Sequence, residues 1–341
     1  MSVFPVCDST LAPVHIASFV QNNYKINDTV TARILKTGIN HTYLITAGEE
    51  KYIFRVYSLN WRTEKEIAEE IRLLGLLQQN NIPVSFAIAD TSSAYIQHLQ
   101  APEGLRFGVL FSFAKGEKTL NMQAELHYKI GVIMASMHKI TDHMQLERVT
   151  YTPEILLVDP FEKLKQFLPE ETDEMVYMKS LQIHLQKTFH DAGTKRLRSG
   201  AVHIDIWFDN MSISNGTDIT IFDFDFCGNG LLLLDIAYYV LQLYSTEKDG
   251  NEFNLKRESF FKGYESVTCL SEEEKKLIPA AGAGLYFFYL GIQCSRYDNW
   301  SNNFLNEIYL KRFINLLVKK WANFYNLLPA DEFITPDKKD L

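Results

Sequence analysis

The sequence is most informative in two short stretches, residues 201–210, AVHIDIWFDN, and residues 221–225, IFDFD. The first stretch carries His203, Asp205 and, five residues after that aspartate, Asn210. A lone His-x-Asp pair is common in loops and cores. The complete spacing, followed thirteen residues later by an acid at the end of a predicted strand, is much more specific.

Phosphoryl transfer explains why these residue types belong together. A hydroxyl nucleophile needs a carboxylate to orient it and accept its proton, which suits Asp205. Mg²⁺ prefers oxygen ligands from amides and carboxylates, which suits Asn210 and Asp223. A loop–strand–loop hairpin, with its strand at residues 218–222, would bring these two ligands together. His203 would then be structural, with its ring hydrogen-bonded to loop carbonyls.

Working outward, the first hundred residues predict a small sheet that carries one helix. Thr63 and Glu66 have the spacing of a capping box, and apolar residues then recur at helical intervals through Gln79. Four β-branched or alternating runs predict the strands, at residues 30–35, 42–46, 51–57 and 107–113.

The remainder of the sequence is predominantly helical in pattern, apart from two short strands within residues 201–226. The two most apolar stretches are shorter than the ~18 residues of a membrane span and predict buried helices. The predicted helices lie at residues 126–140, 162–167, 172–192, 231–244 and 280–293.

Composition and charge narrow the functional class. Hydrophobic residues make up 46% of the 341 residues and charged residues 22%, which predicts an ordered globular protein. Of the net charge of -8, residues 109–341 hold -7, which disfavours nucleic acid and favours a cationic substrate. The four dispersed cysteines indicate neither a zinc site nor a disulfide framework. The first residues do not resemble a signal peptide, so we expect a soluble cytoplasmic protein without a membrane partner.

The motif resembles the catalytic and metal-binding loops of the aminoglycoside phosphotransferase/choline kinase-like family, which typically read HGDxxxxN and then a strand ending I-D. The match is His203, Asp205 and Asn210, followed by Asp223. The resemblance implies that Asp205 is the catalytic base and that Asn210 and Asp223 bind the metal. Asp235 resembles the acid of the family's D-[LI]-A, which supports the C-terminal lobe.

The N-terminal residues resemble the same family more loosely. Gly38 and Asn40 lie at the tip of a hairpin that resembles the nucleotide-covering loop. Arg55 stands where the family usually has a phosphate-pairing lysine, and Glu70 on the following helix would be its partner. The resemblance runs from about residue 30 to about residue 240, and residues 296–300 faintly resemble the homoserine kinase type II and stress-response kinase branch.

Phe111 and Phe113 resemble the hinge, whose backbone groups would hold the adenine. The implied fold is α+β and protein kinase-like, with a small antiparallel-sheet N-lobe and a larger helical C-lobe. The expected boundaries are residues 1–108 for the nucleotide-binding lobe, 109–116 for the hinge and 117–341 for the catalytic and substrate lobe. ATP and Mg²⁺ are the expected cofactors.

Asp225 and Arg55 each allow a second interpretation. Asp223 and Asp225 stand two residues apart, and we expect only one of them to face the metal. The resemblance favours Asp223, which leaves Asp225 as either a surface acid or an acid that supports the metal site. Arg55 is either the phosphate-pairing residue or an ordinary exposed strand residue.

Two departures from the family pattern leave the function open. Ile204 replaces the glycine of HGD. Related kinases have a large residue at this position, so we expect the loop to survive, although a β-branched residue is expected to exclude positive φ there. Arg55 replaces lysine, which changes the geometry of its pairing. We therefore expect an ATP-dependent phosphotransferase that acts on a hydroxyl of an aminoglycoside, an amino alcohol such as choline or homoserine, or a related metabolite. A nucleotide-binding pseudokinase or scaffold, a protein Ser/Thr kinase and a metal-dependent hydrolase remain alternatives.

Overall fold

The computed structural model describes residues 4–26, 28–193, 197–299 and 304–328, which form two compact units. The first unit contains the described residues of Met1–Lys118 together with Met211–Asp225. The second contains those of Thr119–Asn210 and Phe226–Leu341. The hairpin that follows Asn210 thus packs with the N-terminal unit, which the sequence-based boundaries did not assign.

The first unit is built on an antiparallel sheet in the order β1-β2-β3-β6-β4, with β5 also paired to β6. Arg55 lies at the middle of this sheet, opposite Thr42 on one side and Val109 on the other. The strands are β1 (Val30–Lys36), β2 (His41–Ala47), β3 (Glu50–Val56), β4 (Ala87–Ile88), β5 (Ile96–Ala101) and β6 (Gly104–Ser112).

The described residues of this unit form two helices, one more than the sequence predicted. Helix α1 (Pro13–Asn23) packs its buried residues into the core cluster of the sheet. Helix α2 (Glu64–Gln79) begins with the predicted capping box, in which Thr63 accepts from the Glu66 amide and Glu66 accepts from the Thr63 amide. Its buried face includes Glu70 and therefore directs a carboxylate toward the sheet.

The hairpin of the first unit consists of β8 (Met211–Ser214) and β9 (Asp218–Ile221). Backbone bonds tie it to the rest of the unit: Ile221 donates to the Pro83 carbonyl and accepts from the Ser85 amide, both at 2.9 Å. The backbone at Gly116 also lies close to Ile213 of β8. This position requires glycine, because a Cβ there would lie 2.2 Å from the carbonyl oxygen of Ile213. These contacts fix the end of β9, from which Asp223 follows.

The second unit is mainly helical and contains a two-stranded sheet of β7 (Ser199–Val202) and β10 (Gly228–Leu231). Helices α6 and α8 approach one another through Tyr238 and Tyr289, whose ring centroids are 5.3 Å apart. The helices are α3 (Ala124–Thr141), α4 (Asp159–Leu164), α5 (Asp173–Asp191), α6 (Leu233–Thr246), α7 (Gly250–Glu265), α8 (Glu272–Ser295), α9 (Glu307–Phe313) and α10 (Lys319–Phe324).

Two π-helical segments, Glu154–Val158 and Ile314–Val318, were not predicted. The first runs directly into α4, so that helix occupies Asp159–Leu164 rather than the predicted 162–167. A π turn keeps the helical apolar pattern but shifts its phase, which explains the misplaced boundary.

Helix α8 is, among the described residues, long and apolar enough to cross a membrane by length and composition. Of its most apolar window, 78% is buried inside the protein fold. Core helices of globular proteins pass the same test, so this helix gives only weak support for a membrane span.

Candidate active site

The buried carboxylate of Asp235 binds the backbone of the loop that follows β7. Asp235, 1% exposed on α6, accepts the backbone N–H of His203 at 2.9 Å and that of Ile204 at 2.6 Å. Its second oxygen lies 3.1 Å from Nε2 of His138 on α3. The Nδ1 atom of His203 accepts from the Asp205 amide at 3.2 Å, so this ring nitrogen contacts a backbone N–H and not a carbonyl.

Ile204 contradicts one expectation, because it adopts a positive φ of 54° in spite of its β-branched side chain. Its side chain is fully buried, its N–H is bound by Asp235, and its carbonyl accepts from the Tyr289 hydroxyl at 3.0 Å. A left-handed residue costs about 1–2 kcal/mol. Contacts at the side chain, the amide and the carbonyl together stabilise this conformation, so the loop retains the turn without glycine.

Asp205 and Asn210 meet directly within this loop. The side-chain nitrogen of Asn210 donates to Oδ2 of Asp205 at 2.7 Å and to the Asp205 carbonyl at 3.0 Å. Phe208–Asn210 form a 3-10 turn, which brings the amide back over a residue five positions earlier. The Asp205 carboxylate is half-buried and held in one orientation, as a group that receives a proton must be.

Two tyrosines that the sequence did not single out surround this carboxylate. Burial raises the pKa of Tyr238, and the Asp205 carboxylate, which its hydroxyl hydrogen-bonds, raises that pKa further. Burial and the charge of Asp205 also raise the pKa of Tyr289. Tyr238 lies three residues after Asp235 on α6, so the two residues are neighbours on one face of the helix. This spacing is the feature of the sequence that could have indicated that Tyr238 lies near the loop.

In the first unit, Arg55 lies between two carboxylates. Its Nη1 is 2.9 Å from Oε1 of Glu70, and its Nη2 is 2.9 Å from Oδ1 of Asp223. The Tyr57 hydroxyl donates to the second Glu70 oxygen at 3.0 Å. Burial acts to lower the pKa of Arg55, but the charges of Asp223 and Glu70 outweigh it and raise that pKa. Arg55 is buried, so its interpretation as an ordinary exposed strand residue is wrong.

Asp223 and Asp225 lie beyond the end of β9, not on the strand. Asp223 has a φ of 67°, and Asp225 belongs to a 3-10 turn, Phe224–Phe226. Asp225 is only 3% exposed and accepts from Trp61 and Arg62, so its interpretation as a surface acid is wrong. Because the chain turns immediately after Ile221, strand geometry does not determine the directions of these two carboxylates.

The other predicted residues of the first unit lie around the sheet. The Asn40 side chain accepts from the Ser58 amide at 3.3 Å, and the Ser58 hydroxyl donates to the Ile39 carbonyl, which fixes the bend that contains Gly38. The structure therefore gives the Asn40 oxygen a partner within the protein.

Phe111 is part of β6, where it pairs with Ile53 and Ala87, so residues 109–112 of the predicted hinge are strand. The guanidinium of Arg55 lies 5.0 Å from the Phe111 ring centroid. Phe113 comes directly after the strand, with the Lys51 ammonium 5.7 Å from its ring. The adenine-binding role of both residues stays a prediction.

The sequence profile of the phosphotransferase enzyme family (APH) matches residues 31–268, which cover most of the chain and every site residue predicted from the sequence. The chain belongs to this family. The family membership, the α+β protein kinase-like fold and the prediction of a kinase-type enzyme are thereby confirmed.

Known structures and sequences resemble this phosphotransferase over most of its length. The structure of a microcompartment-associated aminopropanol kinase has a TM-score of 0.76 and 21% identity, over 94% of this chain and 99% of that one. Amicoumacin kinase hAmiN, in complex with AMP-PNP, Ca²⁺ and Ami, has a TM-score of 0.72 and 20% identity, over 90% and 93%. A homoserine kinase of Rhizobium etli (strain CIAT 652) is 26% identical over 253 residues, 73% of this chain and 75% of that protein.

Asp223 in the first unit and Asn210 in the second each carry an oxygen atom that suits a hard divalent cation. The Asp223 side chain is 36% exposed and has one oxygen on Arg55. The nitrogen of the Asn210 amide is engaged by Asp205, so its oxygen is the atom able to ligate a cation. Within the described ranges, no group of three His, Cys, Asp or Glu side chains has a metal-binding arrangement. Magnesium in nucleotide sites typically takes one or two protein ligands, with phosphate and water completing the shell.

Proposed function

We propose that this protein is an ATP-dependent kinase that transfers the γ-phosphoryl group to a hydroxyl of a small molecule. The observation that carries the proposal is the Asp205 carboxylate, held by the Asn210 amide at 2.7 Å on a loop fixed by Asp235. Family membership supports phosphoryl transfer in general. The geometry of the loop supports the specific assignment of the base.

In the proposed reaction, Asp205 orients the acceptor hydroxyl and takes its proton as the oxygen attacks the γ-phosphorus. The bond between that phosphorus and the bridging oxygen breaks, and ADP leaves with the bonding pair. Arg55, supported by Glu70, would pair with phosphate oxygens, and Asn210 and Asp223 are the residues that would hold the cation. Magnesium, when bound, neutralises the charge that develops on the phosphates.

The acceptor in this proposal is a hydroxyl compound that also carries an amine. The net charge of -7 over residues 109–341 favours a cationic substrate. Two of the similar proteins are named for amine-bearing alcohols, aminopropanol and homoserine. Both considerations concern the acceptor and leave the nucleotide chemistry unchanged. A cytoplasmic location, where ATP is available, is part of the same proposal.

Calorimetric titration of ATP and GTP, with and without Mg²⁺, tests the nucleotide step. The wild type should bind in a metal-dependent manner, and Asp223→Ala should lose that dependence. Asp218→Asn is the matched control, because Asp218 is exposed on the same hairpin and contacts only Asn215 in the hydrogen bonds described. Absence of nucleotide binding by the wild type would refute the proposed function.

Release of ADP in the presence of homoserine, 1-amino-2-propanol, choline and an aminoglycoside tests the acceptor and the base. Asp205→Asn should lower turnover by about 10²–10⁴-fold with nucleotide affinity retained. Near-normal turnover by this variant would overturn the assignment of Asp205. Phosphorylation only of neutral alcohols would overturn the amine preference and leave the kinase assignment intact.

A nucleotide-binding pseudokinase is the second candidate, and Arg55 is the observation that favours it. This arginine replaces the usual lysine and lies 2.9 Å from the proposed metal ligand Asp223, so cation and guanidinium compete for one carboxylate. Metal-dependent nucleotide binding without ADP release for any acceptor in the panel is the result that this candidate predicts.

A further inference from the structure

Asp225 is bound by two residues that directly precede helix α2. The Trp61 indole donates from Nε1 to Oδ2 at 2.7 Å, and Arg62 donates from Nε to Oδ1 at 3.1 Å. Arg62 also donates from Nη2 to the Asp225 carbonyl at 2.7 Å. These three bonds, which we call the Trp61–Arg62 clamp, hold both the side chain and the backbone of one residue.

The clamp is rigid because its own residues are constrained. The Arg62 guanidinium lies 4.5 Å from the Trp61 ring centroid and its side chain is 10% exposed. The next residue, Thr63, is the N-cap of α2, and its capping box fixes the start of the helix. Guanidinium and indole donors that are already oriented lose little conformational entropy when they bind a carboxylate.

The segment held by the clamp is the turn that carries Asp223. On its N-terminal side, Ile221 is bound by backbone bonds to Pro83 and Ser85. On its C-terminal side, Asp225 is held by the clamp. Asp223 lies between these two anchors with a φ of 67°, a left-handed conformation that an L-residue keeps only where its surroundings impose it. The backbone of Asp223 therefore depends on Asp225, and its carboxylate is oriented in addition by Arg55, whose Nη2 lies 2.9 Å from Oδ1.

We infer that Trp61 and Arg62 are positioning residues for Asp223: through Asp225 they hold the turn that presents the Asp223 carboxylate to the cation. This inference rests on the proposed function. Because Oδ1 and Oδ2 of Asp225 each accept a bond from the clamp, the inference gives Asp225 a supporting role and Asp223 the role of the ligand. Residues that orient metal ligands in this way typically change metal affinity by about 10–100-fold when they are replaced.

The test compares Trp61→Phe and Arg62→Gln with the wild type. Trp61→Phe keeps an aromatic ring and removes one donor, whereas Arg62→Gln removes two bonds. The matched control is Arg72→Gln, because Arg72 is 49% exposed on α2 and its guanidinium pairs with Glu69 of the same helix. Mg²⁺ is titrated calorimetrically at saturating ATP, ATP is titrated without metal, and hydrogen exchange of amides 223–226 is measured on the nucleotide-free protein.

The variants should weaken apparent Mg²⁺ affinity by about 10–100-fold. Hydrogen exchange at amides 223–226 should accelerate in the variants. Their metal-free ATP affinity, and the Mg²⁺ affinity of the control variant, should stay within about twofold of the wild-type values. If both variants bind Mg²⁺ with the affinity of the wild type, the positioning role of Trp61 and Arg62 is wrong, and the proposed function is unaffected. An equal loss of metal-free ATP binding overturns the positioning role too, because the clamp would then be a general support. If ATP binding by the wild type does not depend on Mg²⁺, the proposed function itself is wrong.

Arg62→Lys and Trp61→Phe keep the test decisive if Arg62→Gln does not fold. Lysine retains the charge but donates without the fixed fork of arginine, so the loss of Mg²⁺ affinity should be intermediate. The positioning role would also be contradicted if Arg62→Lys lowers the free energy of unfolding as much as it weakens the free energy of Mg²⁺ binding. In that case hydrogen exchange would accelerate throughout the unit.

Discussion

Replacing Asp235 with asparagine tests whether one buried charge holds the catalytic loop. The carboxylate accepts the N–H groups of His203 and Ile204 and contacts Nε2 of His138. Asparagine has the same shape, but only its oxygen can accept. The opposite tautomer of His138 lets its Nε2 accept from the new amide nitrogen, since the Tyr264 hydroxyl 2.7 Å from Nδ1 can either donate or accept.

The expected loss follows from the change in hydrogen-bond type. A bond to a charged group contributes about 1.5–3 kcal/mol and a neutral one about 0.5–1.5 kcal/mol, so each backbone bond to Asp235 weakens by about 1 kcal/mol. Asp235→Asn should therefore lower the free energy of unfolding by about 2 kcal/mol. Asp235→Ala leaves two amides and an imidazole without their acceptor and should cost about 4 kcal/mol or more.

Urea unfolding of the wild type and both variants measures these losses. The matched control is Asp191→Asn, at an exposed aspartate in the last turn of α5 whose effect should stay within about 0.5 kcal/mol. Thermal unfolding should show a fall of about 2–4 °C per kcal/mol. If Asp235→Asn matches the control, the charge of Asp235 does not hold the loop and the reasoning is refuted.

Three further predictions concern buried polar groups and backbone strain. Arg55→Met should destabilise the protein by about 3–5 kcal/mol in urea unfolding, because it leaves the buried Glu70 charge without its cation. Adding Glu70→Leu should recover most of that loss; no recovery would argue against an ion-pair origin. Burial lowers the pKa of His127 to about 4. Below pH 6.5 the unfolded chain therefore binds a proton that the folded chain does not, and stability should fall by up to about 3 kcal/mol between pH 6.5 and 4. His127→Gln should flatten that part of the pH profile, and an unchanged profile would assign the effect to other groups. Ile204→Gly should be about 2 kcal/mol less stable than the wild type by the same assay, because the lost side-chain burial exceeds the relieved strain; a more stable variant would show that strain dominates.

Local chemistry made much of the fold predictable. Thr63 and Glu66 have the capping-box spacing, and helix α2 begins there and ends at Gln79 as expected. Strands β1, β2 and β3 were predicted to within one residue at each end. Strand β6 begins three residues before its predicted start, and β4 and β5 were not predicted. Helix α1 was not predicted, because its sequence, PVHIASFVQNN, has few strong helix formers and is stabilised by packing against the sheet.

The candidate site was predictable only as far as its spacing was informative. Residues such as Asp205 and Asn210 stand in one short motif, and the structure joins them at 2.7 Å. Trp61 and Arg62 stand more than 160 positions from their partner Asp225, and nothing in their local pattern indicates a carboxylate. Contacts of this kind follow from tertiary packing, which propensity and periodicity do not encode.

Ile204 shows why a correct local rule can still give the wrong structure. The penalty for a β-branched residue at positive φ is real, but it is only about 1–2 kcal/mol. Full burial of an isoleucine side chain contributes about 1.5–3 kcal/mol, and the bond from its amide to the Asp235 carboxylate adds about 1.5–3 kcal/mol. The long-range terms therefore exceed the local one, and the backbone adopts the conformation that the loop needs. Glycine would remove the penalty but also the burial, so this position retains the turn by packing and not by conformational freedom.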